Sequence, residues 1–83
     1  MASTSTLRVR AFGAAIRTRR EELGLSQEGL GYKAGVHRTY VSDIERGARN
    51  PTAKVIWKLA TALDTQPSVL FGIAEAALGS RRA

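Results

Sequence analysis

The sequence predicts an all-α fold, a compact bundle of five helices in one domain. Apolar residues recur at helical spacing along most of the chain, and no segment shows the sustained alternation of a half-buried strand. Residues that commonly cap or stop helices, among them Ser26, Gly35 and Gly47, divide the chain into helix-length segments. The 83 residues suffice for a single hydrophobic core. We therefore expect one domain, with its parts at residues 1–6 (a frayed segment), 7–78 (the folded domain) and 79–83 (a short tail).

The first two helices are predicted over residues 7–23 and 27–34. In the first, apolar residues share one stripe and a glycine follows the last turn. The second begins after Ser26, a favourable N-cap, and ends before Gly35, which can adopt the left-handed conformation of a turn. Gly31 lies where the absence of a side chain allows another helix to cross closely.

The last three helices are predicted over residues 38–46, residues 53–63 and from about residue 67. Val41 and Ile44 supply the apolar face of helix three. A proline and a threonine stand between helices three and four, where the first prevents helix and the second can cap the next one. Helices two and three are joined by about three residues, which predicts a helix-turn-helix motif.

The charge of the chain favours an anionic partner. Thirteen Lys and Arg against seven Asp and Glu give a formal charge of +6, and the surplus lies in residues 1–58, with eleven basic and five acidic side chains. Such a balance suits nucleic acid or a membrane surface. No apolar run is long enough to span a membrane, and the polar N-terminus is not a signal peptide, so we expect a cytoplasmic protein.

The residues available for chemistry make an enzyme an unfavourable interpretation. Without cysteine there is no disulfide, thiolate metal site or thiol nucleophile, and the carboxylates are not clustered. The single histidine, His37, precedes helix three at its N-cap, where we expect a weak cap in preference to a DNA contact or a metal ligand. We expect no metal, no cofactor and no small-molecule ligand.

Helix three carries a polar face that can contact DNA. At about 100° per residue with Val41 at 0°, Ile44 lies near 300° on the core side, whereas four polar residues lie between roughly 100° and 200°. Their hydroxyl, carboxylate and guanidinium groups match the donors and acceptors of base edges and phosphates. The alternative is an ordinary solvated face. The residues predicted to face DNA are Arg38, Thr39, Ser42, Asp43 and Arg46, with Tyr40 at the border of the core.

Residues 26–51 resemble the Cro and phage-repressor type of helix-turn-helix family, also called XRE-like. The stretch SQEGLGYKAGV is similar to the family's first motif helix and turn, and YVSDIERGARNP to its second helix and the loop beyond. The resemblance covers roughly residues 12–71 and implies a lambda-repressor-like DNA-binding domain. Within the family, HRTYVSDIERGARN looks more like the restriction-modification controller proteins than the phage repressors.

The resemblance also implies roles for individual residues. In this family the second helix of the motif is the recognition helix, and its start enters the major groove. Helix three has this position here, which implies that Arg38 and Thr39 read bases. Gln27 opens helix two, where free backbone N–H groups favour an anion, and it is implied to hold a phosphate and to brace helix three. The hydroxyl of Tyr40 is expected to reach a phosphate. Loop contacts are implied for Arg49 and Asn50.

Glu45 is predicted to lie on the core side of helix three, near 40° on the same scale, where an unpaired carboxylate would be costly. It therefore needs a cation. Arg20 lies at the border of the apolar stripe of helix one, and the resemblance implies that these two positions pair. We expect a structural ion pair.

A single recognition helix covers half of a useful site, and the resemblance implies a homodimer on palindromic double-stranded DNA. The expected function is that of a sequence-specific transcriptional regulator, controlling a restriction-modification operon and its own gene. The alternatives are an antitoxin-like protein-interaction module that binds DNA secondarily, and non-specific coating of the chromosome. The apolar residues predicted to form the dimer interface are Trp57, Val69, Leu70, Phe71 and Ile73, with the alternative that Leu70 or Phe71 belongs to the core.

Overall fold

The computed structural model describes residues 3–79 and contains five α-helices, which confirms the all-α fold. No β-strand occurs in that range, and none of its helices combines the length and the apolar character that crossing a bilayer requires. The helices are α1 (Thr4–Glu22), α2 (Gln27–Ala34), α3 (Arg38–Glu45), α4 (Ala53–Ala62) and α5 (Pro67–Gly79).

The start of α1 differs from the prediction. The helix begins at Thr4, three residues early, because the Ser3 hydroxyl accepts a hydrogen bond from the Thr6 N–H at 3.1 Å and caps the first turn. This turn therefore belongs to the helix, which starts inside the segment that was predicted to be frayed. At the other end α5 includes Gly79, the first residue of the predicted tail. The residues outside the described range are 1, 2 and 80–83.

One core joins all five helices. α1 packs against α3 and α5, α2 packs against α3 and α4, and α4 closes the bundle against α5. The largest fully buried side chains are Ile16, Leu30, Val41, Ile44, Leu59, Leu63 and Leu70. Burial of apolar side chains of this size is the main favourable contribution to folding, at about 1.5 to 3 kcal/mol each.

The turn between α2 and α3 has the geometry that its glycines predict. Gly35 caps α2 with φ 74°, in the left-handed region. Gly31 contacts the same turn closely, since a Cβ at this position would lie 2.6 Å from the carbonyl oxygen of Val36. A side chain at either position would disturb the turn, and the turn sets the direction of α3.

A second close approach, at Gly13, was not predicted. A Cβ on Gly13 would lie 2.1 Å from the carbonyl oxygen of Ile44, so the backbones of α1 and α3 touch at this point. The contact holds the last turn of α3 against α1. It thereby places Glu45 beside the helix that carries Arg20.

Candidate nucleic-acid interface

The first turn of α3 exposes Arg38 and Thr39, the two residues predicted to read bases. His37 caps this turn, because its Nδ1 accepts a hydrogen bond from the Thr39 N–H at 3.0 Å. The histidine thus has the capping role that its position predicts. Among residues 3–79, no group of three or more His, Cys, Asp or Glu side chains is placed to hold a metal ion.

Glu28 of α2 lies beside Arg38, a contact that the sequence did not predict. Its Oε2 is 3.6 Å from the Arg38 Nη1, and both side chains are well exposed. Exposed pairs of this kind contribute roughly 0 to 1 kcal/mol. The guanidinium can therefore exchange the carboxylate for a guanine edge, which is its usual bidentate partner in the major groove.

A second acidic residue, Asp43, joins the middle of α3 to the loop that follows it. Its Oδ1 accepts a hydrogen bond from the Arg46 Nη2, and its Oδ2 lies 3.8 Å from the Arg49 Nε. The Arg49 guanidinium also lies 4.8 Å from the centre of the Tyr40 ring, within cation–π distance. The structure thus brings together four of the predicted DNA-contacting residues.

Two other predicted contacts lie apart from this group. Ser42 is half-buried on α3, and its carbonyl accepts a hydrogen bond from the backbone N–H of Arg46 at 3.1 Å. Asn50 is exposed in the loop before α4. Both remain candidates for contacting DNA.

The predicted ion pair between Arg20 and Glu45 is present and buried. The Arg20 Nε and Nη2 donate to the two carboxylate oxygens of Glu45 at 2.7 and 3.0 Å, and the two side chains are 11% and 3% exposed. Arg20 also donates from Nη1 to the carbonyl oxygen of Leu25 at 2.8 Å. The hydrogen bond with Glu45 raises the pKa of Arg20, against the opposing effect of burial. This guanidinium and carboxylate lie inside the protein, where each compensates the buried charge of the other.

Gln27 lies at the start of α2, but its side chain is directed towards α3. The Nε2 donates to Oε1 of Glu45 at 3.0 Å, so the amide braces α3, as the resemblance implied. A contact between Gln27 and phosphate stays a prediction. The Glu45 carboxylate accepts from residues of both α1 and α2 and so ties three helices together.

The residues predicted to form a dimer interface divide into two groups. Leu70 is fully buried in the core of the single chain, so its assignment to an interface is wrong and the alternative of a core residue holds for it: its side chain points inward from α5. Phe71 is 44% exposed, with its ring 4.7 Å from the ring of Phe12. The other three residues of the predicted interface are also exposed: Trp57, Val69 and Ile73.

Comparison with known proteins places this geometry among helix-turn-helix proteins. The helix-turn-helix family model HTH_3 matches residues 16–70. The control protein C.BamHI of Bacillus amyloliquefaciens is 45% identical over 60 residues, which are 71% of this chain and 74% of the relative. Two regulators of Mycobacterium tuberculosis are 39% identical over 59 residues, 71% of this chain, but the match spans only 42% of their length.

Two solved structures of restriction-modification controller proteins are similar to this fold. C.AhdI from Aeromonas hydrophila has a TM-score of 0.74 and 47% identity, covering 75% of this chain and 94% of its own. A point mutant of C.Esp1396I has a TM-score of 0.80 and 31% identity, covering 94% of this chain and 95% of its own. The similarity therefore extends well beyond the two helices of the motif.

Proposed function

The chain belongs to the helix-turn-helix family of DNA-binding transcriptional regulators, and we propose that it acts as a homodimer on palindromic operators to control a restriction-modification operon and its own gene. The family is one of regulators and not of enzymes. The similarity to proteins named as restriction-modification controllers supports the finer assignment. The observation that carries the proposed reading of DNA is the exposed first turn of α3, where the Arg38 and Thr39 side chains lie outside the core.

In the proposed mechanism, α3 lies in the major groove with its N-terminal turn towards the bases. Arg38 is suited to the O6 and N7 atoms of guanine, and the hydroxyl of Thr39 offers a shorter contact to a neighbouring base. The arginines nearer the end of α3 lie where phosphate contacts would orient the protein on the duplex. The domain then reads one half-site.

Replacing Arg38 by Ala tests this arrangement. We expect the loss of preference at one base position in each half-site, with a cost of about 1 to 3 kcal/mol, because the bidentate contact disappears. Binding of variant operators, one base changed at a time, measures the effect. An equal loss for every sequence would make Arg38 a phosphate contact.

The homodimer rests on the need for a second half-site and on the apolar side chains that the single chain leaves exposed. Trp57 is 63% exposed on α4, and Val69 is 50% exposed on α5. A two-fold interface between such surfaces would set two recognition helices about one turn of DNA apart. Sedimentation of the free protein at tens of micromolar measures its oligomeric state. A monomer without any detectable dimer would contradict the proposed homodimer.

The decisive experiment is selection of bound sequences from random duplex DNA. We expect a palindromic consensus with two half-sites spaced by about one helical turn. A reporter carrying that consensus upstream should change its transcription when the protein is supplied. Genes for a methyltransferase and an endonuclease beside the gene would support the restriction-modification role. The absence of any consensus would overturn sequence-specific regulation.

A further inference from the structure

The end of α3 turns the chain back onto the polar face of the same helix. Gly47 has φ 74°, and its N–H donates to the carbonyl of Ile44 at 3.0 Å. The next N–H, of Ala48, donates to the carbonyl of Asp43 at 2.8 Å. These two bonds form the usual glycine-terminated helix end, which reverses the direction of the chain. Arg49 follows directly and so returns to the side of the helix where Asp43 lies.

The Asp43 carboxylate is occupied by this arrangement. One oxygen accepts from Arg46 and the other faces Arg49, whose guanidinium also lies over the ring of Tyr40. The Asp43 side chain is 21% exposed, whereas those of Arg46 and Arg49 are 62% and 54% exposed. The acid thus lies beneath two arginines that project further into solvent. A cytosine amine would have to displace one of them to reach the carboxylate.

We infer that Asp43 is a positioning residue, which holds the guanidinium groups of Arg46 and Arg49 as a pair for DNA and does not itself read a base. This inference rests on the proposed function. Long arginine side chains lose much rotamer freedom when they bind, and a carboxylate that already holds them reduces that loss. Because Arg49 lies in the loop, the same carboxylate sets the loop against the recognition helix.

The carboxylate has a second effect on the same surface. Its negative charge repels every phosphate, so it weakens binding to DNA of any sequence while it orients the arginines for one geometry. Removal of the charge should therefore strengthen non-specific binding and weaken the preference for the operator. If Asp43 only stabilised the fold, its substitution would leave unchanged the ratio between the affinities for the operator and for non-specific DNA, whether or not the two arginines were present.

The test compares Asp43→Asn with Glu75→Gln in the full chain. Both substitutions remove one negative charge at nearly constant size, but Glu75 is exposed on α5 and belongs neither to α3 nor to the loop that carries Arg49. The dissociation constants are measured for the selected operator and for a random duplex of equal length. We expect both variants to bind the random duplex somewhat more tightly, and only Asp43→Asn to reduce the operator preference, by roughly fivefold or more.

A second set of variants asks whether Asp43 acts through the arginines. In a chain that carries Arg46→Ala and Arg49→Ala, adding Asp43→Asn should alter the operator preference by less than about twofold, because the groups it positions are absent. The measurements use low salt, at which weakened complexes still form. Thermal melting of each variant verifies that the chain is folded.

Three outcomes overturn the inference. An operator preference of Asp43→Asn equal to that of Glu75→Gln would show that the carboxylate positions nothing. An equal loss with and without the two arginines would show that Asp43 contacts DNA directly. A wild-type protein without any operator preference would overturn both this inference and the proposed function, whereas the first two outcomes leave the proposed function intact.

Discussion

Glu45 and Asp43 lie two residues apart on α3, and both bind arginine, but they do so in opposite environments. The Glu45 side chain is 3% exposed and pairs with a nearly buried guanidinium. The Asp43 side chain is 21% exposed, and its two partners are more than half exposed. Both carboxylates bind guanidinium groups, so any difference between their contributions to stability comes from their different exposure to water.

Water decides what each pair contributes. A buried carboxylate that loses its partner cannot recover hydration, and the penalty appears in the free energy of unfolding. Asp43 is only half-buried and its partners are exposed, so water reaches its ion pairs, and its removal changes the surface more than the stability. One helix thus carries a buried ion pair on its inner side and, on its outer side, a solvent-accessible network that is proposed to meet DNA.

The largest expected effect is that of Glu45→Ala. We expect the free energy of unfolding to fall by about 3 kcal/mol, because Arg20 remains buried without an anion and Gln27 loses its acceptor. Urea unfolding at neutral pH measures it. Glu21→Ala is the matched control, since Glu21 pairs with Arg17 in an exposed position. A melting temperature of Glu45→Ala within a degree of wild type would contradict the comparison.

An intermediate effect is expected for Arg20→Lys. The charge remains, but lysine cannot reproduce the two-oxygen contact with Glu45 together with the bond to the carbonyl of Leu25. We expect a loss of about 1 to 2 kcal/mol in the free energy of unfolding. Unfolding equal to wild type would mean that charge alone, without geometry, stabilises this site.

The smallest effect on stability is expected for Asp43→Ala. Its ion pairs lie largely in water, so the free energy of unfolding should fall by no more than about 1 kcal/mol, and by less at high salt. Urea unfolding at two ionic strengths measures both. If this variant lost as much stability as Glu45→Ala, burial would not be the property that separates the two carboxylates.

Much of the fold could be predicted because its signals are local. Ser26 before an amphipathic segment and Gly35 after it delimit α2, and both cap it in the structure. The start of α1 could not be predicted in the same way, since several neighbouring hydroxyl residues can cap and no apolar period distinguishes among them. The structure selects Ser3.

The candidate site was also predicted in part. A carboxylate at an apolar position requires a cation, and the family resemblance implied that Arg20 is the partner of Glu45. Leu70 shows the limit: on a helix with apolar residues on several sides, periodicity does not say which of them is buried. Glu28 shows another, because its contact with Arg38 joins two different helices.

By itself the sequence determined five helices, the turn between α2 and α3, the polar face of α3 and the need of the inward Glu45 for a cation. Only the tertiary structure decided that Gly13 brings α1 against α3, that Leu70 is core, and that Asp43 is occupied by two arginines. Caps, glycine stops and apolar spacing act between near neighbours in the chain. The contacts of an exposed side chain depend on where the following loop travels, and the reversal at Gly47 returns Arg49 to the face of α3.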